Sequence, residues 1–205
     1  MPPRVLTITG PTGSGKGELL KILDELRSED FKPVLVQKYT TRGRRANDGP
    51  EVKCVRKIPD NCDVAYEQYG VRYGFNSKVL WDHIAAGRTP IVIVNDIRAV
   101  EDIKDRFGGM ARAVYLFRDA PSEDRLRELS KERGVAGAAA SEYAQRHLKS
   151  IMIHRIFIEN VHIFEWVIIN VGTTTKRMHA QVTRLVQGEQ SQVQEINDVE
   201  KATES

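Results

Sequence analysis

The sequence predicts an α/β fold in which helices wrap a parallel sheet, and two observations predict it. Apolar runs of strand length alternate with segments of helical period along most of the 205 residues. A glycine-rich segment, GPTGSGK, stands between the first apolar run and the first helical segment. Strand–loop–helix units of this kind are typical of parallel sheets covered by helices.

The strands and the two clearest helices can be placed in order. We expect strands in five short runs rich in valine, isoleucine and leucine. These runs are residues 5–9, 33–37, 90–95, 111–117 and 166–170. Helices are predicted at 17–27, where leucine and isoleucine recur at i, i+3, i+4 and i+7, and at about 173–186. Residues 1–187 then form one domain, and we expect the polar stretch 188–205 to be disordered.

Two segments interrupt this alternation. Residues 39–77 hold most of the Gly, Asp and Arg between the second and third strands, and residues 122–159 are helical, charged and broken by GVAGAAA. Segments of this kind often form mobile flaps over a rigid core. We predict an acceptor-binding insertion in the first segment and a helical lid in the second.

The bulk properties exclude several classes of protein. Net charge is +3, from 31 basic and 28 acidic residues, which is too balanced for a dedicated nucleic-acid binder. Cys54 and Cys62 fit neither zinc spacing nor a secreted disulfide framework, and the histidines show no spacing typical of a metal site. With no long apolar stretch to cross a membrane, we expect a soluble, cytoplasmic protein without metal ligands of its own.

The segment from residue 10 to residue 17 has the pattern GxxxxGK of the phosphate-binding P-loop. Its glycines allow consecutive backbone N–H groups to point inward, and the helix start and a lysine add positive charge. A P-loop NTPase-type sheet and ATP binding are therefore predicted. The residues assigned to ATP in this loop are Gly10, Pro11, Thr12, Gly13, Ser14, Gly15, Lys16 and Gly17.

One position departs from the usual loop. Gly17 and Glu18 follow Lys16 where a P-loop commonly supplies a Ser or Thr hydroxyl to magnesium. Mg²⁺ keeps much of its hydration shell in such sites, so water and the nucleotide's own oxygens can hold it. ATP and Mg²⁺ are the expected cofactors, and the sequence leaves open how the metal is held.

Several motifs occur in the order seen in guanylate kinases. GPTGSGKGELL is followed by YTTRGRR, YGVRYG, IVIVND, RLRELSKERG and WVIIN, so that residues 4–187 resemble this family. The resemblance implies that Arg42, Arg45 and Tyr73 hold the phosphate of an acceptor. Two arginines on one turn suit a dianion, because their guanidinium groups bind it bidentately. A solvated basic turn is the alternative.

The resemblance also implies further site residues. Asp96, at the end of a strand, corresponds to an acidic residue near the acceptor and the metal, although aspartate here also suits a helix N-cap. Arg133 and Arg146 are the candidates to close over the transferring phosphate, or else are helix-surface arginines paired with nearby glutamates. Asn170 is expected to contact adenine or, alternatively, to end a strand at a turn.

The positions that read guanine in the family are altered here. Lys38 stands in place of a serine, and Cys54 stands in place of a tyrosine. Val64 stands in place of a glutamate, and Phe75 in place of a Ser or Thr. The nearest carboxylates that could read a base are Asp63 and Glu67.

A second family shares several of these features. The segments KYTTR and VIVNDIRA are similar to ribose 1,5-bisphosphate phosphokinases, in which Lys38 could oppose a second phosphate. The predicted function is ATP-dependent phosphorylation of a small phosphate-bearing acceptor, with GMP or dGMP first and the sugar phosphate as the alternative. A non-catalytic guanylate kinase-like binding module is the alternative of another class. A homodimer is left open.

Overall fold

The computed structural model describes residues 4–11, 13–44, 48–118, 152, 154–170 and 175–188. Nine strands lie within these ranges: β1 (Val5–Thr9), β2 (Pro33–Leu35), β3 (Lys38–Thr40), β4 (Val52–Cys54), β5 (Val64–Gln68), β6 (Val71–Phe75), β7 (Thr89–Ile93), β8 (Ala111–Phe117) and β9 (Trp166–Ile169). The helices described are α1 (Lys16–Glu25), α2 (Ser77–Ala85), α3 (Ile97–Phe107), α4 (154–159) and α5 (Thr175–Gln187).

The main sheet has five parallel strands in the order β2-β7-β1-β8-β9. The strands predicted from the five apolar runs all occur, with bounds that differ by a few residues. β1 lies at the centre, and all five of its residues are buried. The parallel α/β class predicted from the sequence is confirmed.

Helices cover both faces of this sheet. On one face, Leu6 and Ile8 of β1 join a buried cluster with apolar residues of α1 and α5. On the other face, Val5 joins a cluster with apolar residues of α2 and α3. Successive side chains of β1 therefore pack against the helices on opposite faces of the sheet, because side chains along a strand alternate between its two faces.

The second sheet is smaller and lies in the segment predicted to bind an acceptor. Its strand order is β4-β3-β6-β5, with β3 parallel to β4 and antiparallel to β6. β5 and β6 form a hairpin whose turn contains Tyr69 at φ 55° and Gly70 at φ 72°. We refer to this unit as the acceptor sheet. The sequence did not predict these strands.

Several predictions lie outside the described residues. These are Thr12 of the loop, Arg45, most of the lid with Arg133 and Arg146, and the tail beyond Gly188. Among the helices of the described ranges, none is long and apolar enough to cross a membrane. Cys54 and Cys62 are both free thiols.

Candidate functional site

The glycine-rich loop of residues 10–17, predicted to bind phosphate and called the phosphate loop below, follows β1 and leads into α1. Gly13 and Gly15 have φ of +81° and +98°, in the left-handed region that favours glycine. A Cβ atom at Gly15 would lie 2.5 Å from the side-chain nitrogen of Asn170, so the loop also needs glycine there for space. The sequence and the packing together select this tight strand-to-helix turn.

Lys16 is the first residue of α1 and points back over the loop. Its Nζ donates hydrogen bonds to the carbonyl oxygens of Gly10 at 2.6 Å and Pro11 at 2.7 Å. Burial and, as the smaller cause, the nearby positive charge of Lys38 together lower the pKa of Lys16 to about 7. The lysine predicted to meet ATP therefore lies close to a lysine predicted to meet the acceptor.

Two side chains from neighbouring strands hold the loop in place. Asn170, just after β9, donates from Nδ2 to the carbonyl oxygen of Ser14 at 2.7 Å. Arg118, just after β8, donates to the carbonyl oxygen of Gly13. The sequence interpretation gave Asn170 a role at adenine, which stays a prediction, and missed Arg118. A basic residue directly after a central strand is the signal that could have found it.

The residues of the loop fit a bound polyphosphate. The hydroxyl of Ser14 is buried and has no hydrogen-bond partner within the described ranges. A buried hydroxyl without a partner is unfavourable unless a ligand or a water molecule forms a hydrogen bond with it. With the adjoining backbone and Lys16, it provides the donors that a phosphate group requires.

Lys38 lies where the acceptor sheet meets the main sheet. It begins β3, and its Nζ donates to the carbonyl oxygen of Ile93, at the end of β7, at 3.2 Å. The same Nζ lies 5.4 Å from the ring centroid of Tyr73 on β6. This ammonium group thus lies near both Lys16 of the loop and Tyr73 of the acceptor sheet.

Arg42, just after β3, lies near Tyr73 and Cys54. Its guanidinium forms two hydrogen bonds with Asp48, at 2.7 and 2.6 Å. Its pKa is raised, first by the hydrogen bond to Asp48, while burial opposes this and the charges of Asp48, Tyr73 and Cys54 add to it. The structure therefore brings Arg42 and Tyr73 together, as predicted, and shows Asp48 as a partner that the sequence did not reveal.

A pocket of about 600 Å³ opens beside this group. Tyr66 forms one wall and stacks on Tyr73 with ring centroids 5.1 Å apart. Asp96 and Glu67 also line the pocket. Asp96 caps α3 by accepting a hydrogen bond from the Ala99 N–H at 2.9 Å. The same side chain is therefore a helix cap and part of the pocket lining.

The four altered base-reading positions fall into two groups. Val64 and Phe75 are buried in the hydrophobic core at 1% and 0% exposure, so neither can face a ligand. Lys38 lies near Tyr73 and Cys54 lies near Arg42, which are two of the residues predicted to hold the acceptor phosphate. The polar groups that would read a base at these positions are therefore replaced by core side chains and by one positive charge.

Asp63 is held by structural partners. Its carboxylate accepts from the backbone and the hydroxyl of Ser77, at the start of α2, and from Arg106 at 2.7 Å. Burial alone would raise the pKa of Asp63, but these hydrogen bonds and the charge of Arg106 lower it below its ordinary value. Asp63 is not among the residues that line the 600 Å³ pocket, whereas Glu67 is.

No cluster of three or more His, Cys, Asp or Glu that could hold a metal ion occurs among the described residues. For Mg²⁺ the loop offers Gly17, which has no side chain, so the metal would depend on nucleotide oxygens and water.

Comparisons with known proteins identify the fold. No protein-family model and no curated protein matches this sequence. Among solved structures, a guanylate kinase from Anaplasma phagocytophilum superposes on the chain with a TM-score of 0.59 at 15% identity. The match covers 92% of this chain and 87% of that one. The chain has a guanylate kinase-like fold.

The guanylate kinase-like fold predicted from the order of the motifs is confirmed. Within it, the structure brings Lys16, Lys38, Tyr73 and Arg42 into one connected group, with Asp96 and Glu67 at the adjoining pocket. A nucleotide kinase-like fold carrying a phosphate loop beside a group of cations is the starting point for the function.

Proposed function

We propose that the chain is an ATP-dependent phosphotransferase that phosphorylates a small acceptor already bearing a phosphate. One observation carries the proposal. Lys16 and Lys38 donate to carbonyl oxygens at the carboxyl ends of two paired strands, Lys16 to Gly10 just after β1 and Lys38 to Ile93 of β7. Two anionic groups bound at these lysines would lie side by side, as phosphoryl transfer requires.

The chain's residues would act by binding and positioning. The loop would hold the β and γ phosphates against Lys16, and Arg42 with Tyr73 would hold the acceptor phosphate. Lys38, between them, would reduce the repulsion between the two anions. ATP supplies the phosphoryl group, and Mg²⁺ on its oxygens supplies further positive charge. A protein nucleophile is not needed for this direct transfer.

An intact phosphate loop favours an enzyme over a guanylate kinase-like binding module. Such a module needs a cleft for its partner but no triphosphate site. Here the glycines, Lys16 and the Ser14 hydroxyl, which has no partner among the described residues, would together bind an anion. These features would be without purpose in a protein that only held a partner in the acceptor cleft.

GMP or dGMP is the first candidate acceptor. The fold is that of a guanylate kinase, and the pocket beside Tyr66 is large enough for a base. Glu67 lines this pocket and is exposed, so it is the group available to read a polar base edge. The carboxylate of Asp63 already accepts hydrogen bonds from Ser77 and Arg106, so Asp63 is the less suitable of the two residues proposed to read a base.

Ribose 1,5-bisphosphate, a sugar with two phosphates, is the second candidate. The observation that favours it is the replacement of polar base readers by buried Val64 and Phe75, while Lys38 adds a cation at the phosphate end. A second acceptor phosphate gains from this lysine, whereas a neutral purine gains nothing from it.

The two acceptors can be separated by steady-state kinetics on GMP, dGMP, AMP and ribose 1,5-bisphosphate. We expect Lys38→Met to raise KM for a bisphosphate acceptor by about tenfold or more, because a charge-assisted contact is lost. Lys53→Met is the matched control, since Lys53 lies 5.5 Å from the ring of Tyr39 in a similar contact at an exposed position of β4. It should leave KM unchanged.

For a nucleotide acceptor, Glu67→Gln should reduce the preference for GMP over AMP, while Lys38→Met should have little effect on that preference. A guanine preference near 10⁴ that survives Glu67→Gln would contradict this role of the pocket, because a preference that large requires a polar reader. Folded protein that neither binds ATP nor phosphorylates any of these acceptors would support the binding module instead.

A further inference from the structure

Arg42 is held by Asp48 in a defined geometry. Nη1 donates to Oδ2 of Asp48 at 2.7 Å, and Nη2 donates to Oδ1 at 2.6 Å, so the two groups meet end to end in a bidentate pair. Nη1 also donates to the carbonyl oxygen of Gly43 at 2.9 Å. A guanidinium placed by three hydrogen bonds has one orientation, since the group is planar and its donors are fixed relative to one another.

These contacts use three of the five N–H groups of the guanidinium. The other two are Nε–H and the second N–H of Nη2, which point to the same side of the group. Neither has a partner in the part of the chain that the structure describes. A pair of parallel N–H donors of this kind binds two oxygens of a phosphate at once.

The pair is well shielded from solvent. The side chains of Arg42 and Asp48 are 12% and 7% exposed, whereas other ion pairs, such as Arg27 with Asp24, are 52% and 70% exposed. A buried ion pair contributes little net stability, because desolvation of both charges offsets their attraction. Stability alone is therefore a poor reason for a buried carboxylate on this arginine.

We propose that Asp48 is a positioning residue, which turns the Nε edge of Arg42 toward the phosphate of the acceptor. The inference rests on the proposed function only in taking that phosphate as the ligand of Arg42. Asp48 itself does not touch the acceptor. It fixes the orientation of the arginine before the acceptor arrives, and this reduces the entropy cost of ordering the side chain when the acceptor binds.

A carboxylate on a phosphate-binding arginine could also have the opposite effect. If Asp48 occupied the place of the acceptor phosphate, it would compete with the acceptor and would have to leave for binding to occur. The two roles predict changes of opposite sign when the carboxylate is removed. Positioning predicts weaker phosphate binding, and competition predicts tighter binding.

The experiment uses the full chain and inorganic phosphate, so it needs no turnover. Arginine side-chain N–H signals are recorded by NMR on ¹⁵N-labelled protein, and the Arg42 Nε–H signal is assigned by its loss in Arg42→Lys. We expect this signal to move as phosphate is added to the wild-type chain. Phosphate also suits the loop at Lys16, so the Arg42 signal itself is the readout. An Arg42 Nε–H that does not respond to phosphate would overturn the proposal.

The variants then test the role of Asp48. In Asp48→Asn, which keeps the size of the side chain, we expect the affinity read from the Arg42 signal to fall about tenfold, because the guanidinium loses its fixed orientation. Asp24→Asn is the control, since it removes an exposed aspartate paired with Arg27, and it should leave that affinity unchanged. Equal or tighter phosphate binding in Asp48→Asn would contradict positioning. If that variant does not fold, the Nη–H signals of Arg42 in the wild-type titration separate the two roles. Positioning leaves these groups bonded to Asp48 while phosphate moves the Nε–H signal, whereas competition requires the bonds to Asp48 to break, and their loss would contradict the proposal.

Kinetics give an independent readout once an acceptor turns over. Asp48→Asn should raise KM for the acceptor and leave KM for ATP and kcat nearly unchanged, whereas a general loss of structure would affect all three. If no acceptor is phosphorylated, the proposed function fails. The phosphate titration still decides the role of Asp48 in that case.

Discussion

Lys16 has a charge that varies with pH near neutrality. Its ammonium group is buried, donates to two carbonyl oxygens of its own loop and lies near Lys38, and its pKa is lowered to about 7. A triphosphate placed against it would favour the charged form and raise that pKa. Binding of ATP and binding of a proton are therefore linked at this residue.

We predict that ATP binding at pH 8 takes up a proton. At that pH the free protein holds Lys16 mostly neutral, and the bound form holds it charged, so uptake should approach about one proton per ATP. Isothermal titration calorimetry in buffers of different ionisation enthalpy measures the uptake directly. At pH 6, where Lys16 is already charged before binding, its contribution should disappear.

Lys16→Arg is the control for this linkage, because arginine stays charged in both states. When Lys16→Arg binds ATP at pH 8, the proton uptake caused by Lys16 should be absent, whatever the affinity of the variant for ATP. The same uptake in the variant and the wild type would show that another group titrates.

At the residue scale, the sequence identified the side chains that belong to a motif and missed those defined only by tertiary contact. Lys16 follows from the pattern of the loop, and Arg42 and Tyr73 follow from the resemblance to guanylate kinases. The structure places the three in one group. Asp48 and Arg118 have no such pattern. Their partners, Arg42 and the carbonyl of Gly13, are set by how loops meet in space.

The start of α1 shows how one element serves both fold and site. Two glycines flank Lys16, and they have different surroundings. Gly15 has φ of +98°, and a Cβ atom there would meet Asn170, whereas nothing lies within 4 Å of a Cβ atom at Gly17. The conformation of the loop thus requires glycine at position 15, whereas a Cβ atom at position 17 would meet no steric obstacle.

We predict opposite effects of alanine at these two positions. Gly17→Ala should stabilise the chain by about 0.5–1 kcal/mol, because glycine inside a helix is unfavourable relative to alanine. Gly15→Ala should destabilise it by about 1–3 kcal/mol, because alanine is strained at this φ and crowds Asn170. Urea unfolding of both variants beside the wild type gives the comparison. Similar stability for the two variants would mean that the loop does not have this conformation.

The two sheets differ in how well their strands could be predicted from the sequence. The strands of the main sheet were predicted because both of their faces are buried, which gives continuous apolar runs such as β1 and β8. β3 and β4 of the acceptor sheet have three residues each, and two of the three residues in each strand are only half-buried. A run that short carries no detectable period, so these strands could not be predicted.

On the scale of the whole molecule, the site lies where two sheets meet. Lys16 extends from the main sheet's first helix and Lys38 from the acceptor sheet, and their like charges are brought together when the chain folds. In the unfolded chain the two lysines are separated and solvated. The arrangement that binds two anions is therefore unfavourable while no anion is present, and we expect it to lower the stability of the unliganded protein.

The last prediction concerns how this stability depends on pH. The pKa of Lys16 is about 7 in the folded chain, against an ordinary value of 10.5 when unfolded, so between these values the unfolded chain binds more protons. The free energy of unfolding should therefore rise with pH in this window, by about 1 kcal/mol per pH unit from this group. Below pH 7 the destabilisation by Lys16 is present in full.

Urea unfolding at pH 7.5 and pH 9, in buffers without phosphate, measures this rise. Lys16→Met should be more stable than the wild type at pH 7.5, and its advantage should shrink at pH 9, because the wild-type lysine is then neutral when folded. Lys21→Met is the control, since Lys21 lies on the same helix with 73% of its side chain exposed, and it should follow the wild type at both pH values. A constant difference between Lys16→Met and the wild type would show that Lys16 stays charged in the folded chain. Burial and the charge of Lys38 would then not lower the pKa of Lys16 in the folded chain.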